Sequence, residues 1–166
     1  AHALIMAEAM HGGNPGEILR RVNTHLIHLK QTDLFVTVLL GIMEAESGKF
    51  CYARAGHELP LIKSAQGSVM APAHDTGQPV GLFDAILLDE QCIHIQPGET
   101  LLLYSDGLTD CCNPGGEAFG QARVRQVLGR LPASGGQPLC DALLGALQEY
   151  RGSATQDDDI TIVVIN

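Results

Sequence analysis

The sequence predicts an α+β fold built on antiparallel sheets. Three observations lead there. Helical periodicity marks the first thirty residues and most of the last third, extended periodicity fills the middle, and Gly-, Pro- and Asn-rich turns punctuate that middle part. Strands grouped with strands argue against the alternating order of a parallel sheet. A chain of 166 residues suits a single domain spanning residues 1–166.

The elements follow in order. Residues 1–10 (AHALIMAEAM) are strong helix formers, with Leu4, Ile5 and Met6 as an apolar stripe, and His11-Gly12-Gly13 ends them. Asn14-Pro15-Gly16-Glu17 opens a second helix, with Asn as N-cap, Pro at the first helical position and Glu at the third. Its apolar positions Ile18, Val22, Leu26 and Leu29 recur at amphipathic spacing. Leu34 to Met43 then reads as a strand buried on both faces. A turn at Glu46-Ser47-Gly48-Lys49 joins it to a second strand, Phe50 to Ala55, as a hairpin. Leu59–Ser64 and Ser68–Ala71 predict another strand pair, and Ala85–Leu88 and Gln91–Ile95 two more short strands. Pro97-Gly98 is a turn before the apolar strand Thr100 to Tyr104. Val124, Val127, Leu128 and Leu131 mark a helix ending near Gly129 to Pro132, and Gln137 to Tyr150 carries another. Ile160 to Ile165 is the closing strand.

Composition narrows the function. With 45% hydrophobic and 17% charged residues the chain is not a disordered segment. The net charge of −9 argues against nucleic acid as a partner, whose phosphates are met by Lys and Arg. The acidity is concentrated beyond residue 83, where 12 acidic groups face 4 basic ones. No apolar run reaches the ~18–20 residues of a membrane span, so no membrane association is expected. No basic segment precedes an apolar one as in a signal peptide. Five Cys without C-x-x-C spacing read as reduced thiols of a cytoplasmic protein, not as disulfides or zinc ligands. The chain starts at Ala1, as a processed chain or a piece of a longer one would.

Three groups could carry chemistry. In Tyr104-Ser105-Asp106-Gly107-Leu108-Thr109-Asp110, Asp106 follows an apolar strand and Gly107 would let a ligand approach the backbone; Asp-Gly is equally a common turn. Asp157-Asp158-Asp159 precedes the last strand. Three successive carboxylates repel one another unless solvent or a cation relieves them, so the run is either a solvated surface or an oxygen site for a hard cation such as Mg²⁺ or Mn²⁺. In Arg54-Ala55-Gly56-His57, His57 could bind metal, donate a proton or cap a turn, and Arg54 could hold a phosphate or lie on the surface. Gly77-Gln78-Pro79-Val80-Gly81 reads as a structural loop, and Ser105 has no evident base partner.

Taken in order, Phe35-Val36-Thr37, Ala55-Gly56-His57, Gly77-x-Pro79-Val80-Gly81, Pro97-Gly98-Glu99, Tyr104 to Asp110, Phe119-Gly120 and Asp158-Asp159-Ile160-Thr161 closely resemble one family. It is the SpoIIE-like (RsbU-type) branch of the PPM or type 2C metal-dependent protein serine/threonine phosphatases. The resemblance covers nearly the whole chain. It implies a four-layer α-β-β-α sandwich of antiparallel sheets and a site for two Mn²⁺ or Mg²⁺ ions. It implies that a metal-activated water hydrolyses phosphoserine or phosphothreonine on a regulatory protein such as an anti-sigma-factor antagonist. On that match Asp106 and Asp158 are metal ligands and Asp159 supports them from the neighbouring position.

The resemblance departs at the start. The family carries a Gly-Asp-Val-x-Gly-x-Gly segment, with a metal-bridging Asp, ahead of the helix that Ala1 to Ala7 resembles, and no Gly-Asp stands upstream here. The reading is therefore a truncated domain with two of the expected carboxylate ligands and incomplete metal occupancy. Exposed sheet edges then predict a homodimer. The alternative function is a degenerate, non-catalytic binding or regulatory domain.

Overall fold

The computed structural model describes residues 2–29, 35–131 and 135–166. Its elements run α1 (His2–Met10), α2 (Pro15–His28), β1 (Val38–Glu44), β2 (Lys49–Ala55), β3 (Leu61–Lys63), β4 (Val69–Met70), β5 (Asp89–His94), β6 (Thr100–Tyr104), α3 (Asp106–Thr109), α4 (Gly120–Arg130), α5 (Gly136–Arg151) and β7 (Ile162–Ile165). They fall into two compact units, Ala1–His57 with Ala73–His94 and Glu58–Pro72 with Ile95–Asn166. No helix among the described residues is long and apolar enough to cross a membrane.

In the first unit the capping box forms as the sequence predicts. Asn14 Oδ1 accepts from the Glu17 N–H at 2.9 Å, and Glu17 Oε2 accepts from the Asn14 N–H at 3.0 Å. Two orphan donors of the first turn are thereby satisfied. The sheet order is β1-β2-β5, antiparallel throughout. Ile18, Leu19 and Val22 of α2 form a buried cluster with Ala53, Ala55 and Val80, and the small Ala side chains give the helix room on β2. Glu8 ties α1 to α2: its Oε2 accepts from Arg21 Nε at 2.7 Å, and its Oε1 lies 3.0 Å from His25 Nε2.

The second unit has sheet order β4-β3-β6-β7. Leu61 and Leu102 of the sheet, Val124 and Leu128 of α4, and Leu139, Leu143 and Leu147 of α5 share one buried cluster. The spacing of four residues between these side chains puts one face of each helix on that core.

Three expectations are corrected. The first predicted strand begins at Val38, and only Val36 before it makes a bridge, to Val80; Leu34 lies outside the described residues, as does Pro132. That strand is not buried on both faces, since β1 is an outer strand of its sheet and Gly41, Ile42 and Glu44 are exposed. Ala85–Leu88 is not a strand. Ile86 and Leu88 pack on the first unit's core, and Gln78 holds the segment by a backbone bond to the Leu87 carbonyl and a side-chain bond from the Leu87 N–H, at 2.8 and 2.9 Å. The cysteines are not all reduced thiols: Cys51 and Cys92 form a disulfide. They face each other across β2 and β5 with Cα atoms 4.0 Å apart, a pairing that spacing along the chain does not reveal. Cys111, Cys112 and Cys140 are free thiols.

Candidate metal and phosphate site

The two acidic segments meet because β6 and β7 pair. The register runs Leu101↔Ile165, Leu102↔Val164, Leu103↔Val163 and Tyr104↔Ile162. Antiparallel pairing places the residues after β6 beside those before β7, so Gly107 stands against the Asp159 carbonyl and shares a cavity with Asp158, while Asp106 is not among the residues that line it. The ladder continues past the strand ends. The Ser105 N–H donates to the Thr161 carbonyl at 3.0 Å. Ser105 Oγ donates to the Asp159 carbonyl at 3.1 Å and accepts from the Thr161 N–H at 2.9 Å. Ser105 is thus the rivet of the two loops, which answers why it has no base partner.

Gly107 is the point of closest approach. A Cβ built there would lie within 3.0 Å of the Asp159 carbonyl oxygen, backbone that cannot rotate away. Gly107→Ala should therefore wedge the loops apart at a cost of ~1–3 kcal/mol, the usual range for overpacking. Thermal unfolding of the variant measures it, and an unchanged melting temperature would show that the loops separate freely.

Each carboxylate is held by its own turn. Asp106 Oδ1 accepts from the Gly107 N–H at 3.1 Å, and Asp158 Oδ1 accepts from the Asp159 N–H at 2.7 Å. Both side chains keep a second oxygen for a ligand. Gly107, Asp110, Cys111, Gln156, Asp157 and Asp158 enclose a cavity of about 40 Å³, room for about one water or ion. Asp110, not singled out as a site residue from the sequence, lines it; the signal was its place four residues after Asp106, one helical turn on. The donor chemistry fits a hard cation, which prefers carboxylate oxygen. The number of donors falls short: among the described residues no three His, Cys, Asp or Glu side chains form a ligand group.

Arg54 and His57 lie in the first unit and are grouped with each other. Arg54 Nε donates to Asp89 Oδ2 at 2.9 Å, Nη1 to the His57 carbonyl at 2.9 Å and Nη2 to the Asp75 carbonyl at 2.8 Å. With all three nitrogens engaged and the side chain only 12% exposed, Arg54 braces β2 against β5 and the 75 loop. An anion held by Arg54 would have to use the N–H donors that these three bonds leave over. His57 gives its carbonyl to that brace. Asp89 is fully buried; burial pushes its carboxyl up, but bonds from Gln91, the Asp75 N–H and Arg54 outweigh that and hold it below the usual carboxylate range. Beside this pair Tyr52 is pushed up to about 12 by burial and by the Asp89 charge.

The comparison with known families now decides the class. The family described as Stage II sporulation protein E (SpoIIE) matches residues 1–166. The chain belongs to the SpoIIE family. This SpoIIE-family chain is 30% identical over 132 residues to Protein IcfG of Synechocystis, covering 80% of the chain and 20% of IcfG. It is 22% identical over 157 residues to the phosphoserine phosphatase RsbU of Bacillus subtilis, covering 93% of the chain and 45% of RsbU. It therefore spans less than half of either relative. Among solved structures it resembles the SiaA-PP2C domain of Pseudomonas aeruginosa, with a TM-score of 0.80 and 22% identity over 99% of the chain and 65% of that structure. It also resembles the PP2C phosphatase domain of SpoIIE from Bacillus subtilis solved with a fragment of its regulatory domain, with a TM-score of 0.81 and 21% identity over 98% of the chain and 47% of that structure. These likenesses show the α+β PP2C-type phosphatase fold that the sequence predicts.

Proposed function

We propose that residues 1–166 form a protein serine/threonine phosphatase domain that hydrolyses phosphoserine or phosphothreonine on a regulatory protein of the anti-sigma-factor-antagonist kind in the cytoplasm. Two relatives, RsbU and RsbP, are phosphoserine phosphatases by name. The observation that carries the reading is the junction of the Asp106 and Asp158 loops, riveted at Ser105 and closed at Gly107.

In this reading Asp106 and Asp158 hold Mn²⁺ or Mg²⁺. When bound, such ions neutralise charge on phosphoryl oxygens and lower the pKa of water. Gly107 lets the Asp159 backbone approach closely, and Ser105 fixes that backbone beside the Asp158 side chain. The excess of acidic groups in the second half of the chain attracts divalent cations and repels a phosphorylated partner, so turnover should depend steeply on metal concentration.

A second reading, a non-catalytic binding domain, is favoured by the missing third ligand among the described residues. One experiment separates them: phosphate release from p-nitrophenyl phosphate and from a phosphoserine peptide, with Mn²⁺, with Mg²⁺ and with EDTA. Metal-dependent release supports the phosphatase. No release under any condition, with no heat of Mn²⁺ binding by calorimetry, supports the binding domain.

A further inference from the structure

The Cys51–Cys92 disulfide lies in the first unit and takes no part in the proposed hydrolysis. The two cysteines are directly paired across β2 and β5. Their surroundings differ. Cys92 is exposed on β5, an outer strand of its sheet. Cys51 is half-buried on the central strand β2, and its other cross-strand neighbour is Ile42 of β1. Directly paired residues share a face of the sheet, so the Ile42 side chain stands on the far side of Cys51 from the disulfide. A thiolate must attack in line with the S–S bond. The line to Cys92 enters from the sheet's outer edge, whereas the line to Cys51 enters through Ile42. A cavity of about 230 Å³ lies beside the bond, lined by Asn14, Gly16, Glu90 and Gln91 together with both cysteines. Pro15 and Tyr52 complete its lining, and it has room for a small thiol beside the bond.

From this asymmetry we propose that Cys51–Cys92 is an exchangeable disulfide and that Cys92 is the site of S-thiolation by a low-molecular-weight thiol. The thiolate attacks Cys92 Sγ. The Cys51–Cys92 bond breaks, a mixed disulfide forms at Cys92, and Cys51 leaves as a thiolate that takes a proton from water. A second thiol attacks the sulfur of the first on the mixed disulfide, releasing the thiol's own disulfide and the Cys92 thiol, so two thiols together supply the two electrons. In reverse, Cys51 attacks Cys92 Sγ and expels the thiol. Opening the bond leaves the β2–β5 ladder from Lys49↔His94 to Arg54↔Asp89 in place, with Asp89 still bonded to Arg54.

The test is peptide mass mapping of the folded chain in reduced and oxidised glutathione, which separates Cys51 and Cys92 from the three free thiols. Glutathione should appear on Cys92 at least ~10-fold faster than on Cys51, because access governs which sulfur is attacked. Cys51→Ser should accumulate the Cys92 adduct, and Ile42→Ala, which keeps the disulfide, should raise the share of attack that falls on Cys51. Equal or faster modification of Cys51 would overturn the assignment. So would a disulfide that resists glutathione in the folded chain yet is cleaved by it in denaturant.

Discussion

Asp106→Asn and Asp158→Asn should each lower metal-dependent phosphate release by at least ~100-fold, the loss expected when a charged group is taken from a metal site, without lowering the stability of the metal-free chain. Both side chains are exposed, and each makes its turn bond through an oxygen that Asn retains. What the substitution removes is charge. At position 158 that charge stands between Asp157 and Asp159, so without metal its loss relieves repulsion. With metal the sign reverses. On the proposed metal site, saturating Mn²⁺ should raise the parent's melting temperature by mass action, and the variants should lose most of that rise. Melting curves with and without Mn²⁺ alongside turnover test both halves. A variant that keeps its full Mn²⁺-induced rise would show that its carboxylate is not a ligand.

What the sequence made legible follows from the range of the interactions involved. The capping box at Asn14 and the bounds of β6 are local facts, written in adjacent residues, and both match. The acidic loops were readable as motifs because each sits at the end of an apolar strand. Their meeting was expected of strands that pair across the chain, but the hydrogen bonds that join them were not, because Ser105 finds its partners 54 and 56 residues along the chain. The same holds for Cys51 and Cys92, 41 residues apart, which pairing of β2 with β5 brings together. Asp89 was hidden for another reason. The polar run Asp89-Glu90-Gln91 between two apolar runs reads as a break between strands, yet Asp89 begins β5 and is fully buried, because Arg54, Gln91 and the Asp75 N–H supply the partners that burial demands.

That buried carboxylate should dominate the chain's sensitivity to substitution. Asp89→Asn is expected to cost about 3–5 kcal/mol, the range for breaking a buried ion pair by removing one partner. Arg54 would keep its charge in a site only 12% exposed, facing a neutral amide. For a chain of this size that is a fall in melting temperature of roughly 6–20 °C. The control is Glu90→Gln, one residue on. Glu90 pairs with Arg20, but both side chains are substantially exposed, 38% and 48%, so the loss should stay below about 1 kcal/mol. The pH dependence has a definite sign. Because the folded state holds the Asp89 carboxyl below its ordinary value, its contribution is complete above the ordinary carboxylate range. It is lost as pH falls through the depressed folded value, where the protonated acid no longer answers Arg54. Parent and Asp89→Asn should therefore converge in stability at strongly acidic pH and diverge towards neutrality. A constant difference between their unfolding free energies across that range would mean that the site is held by packing rather than by its charge.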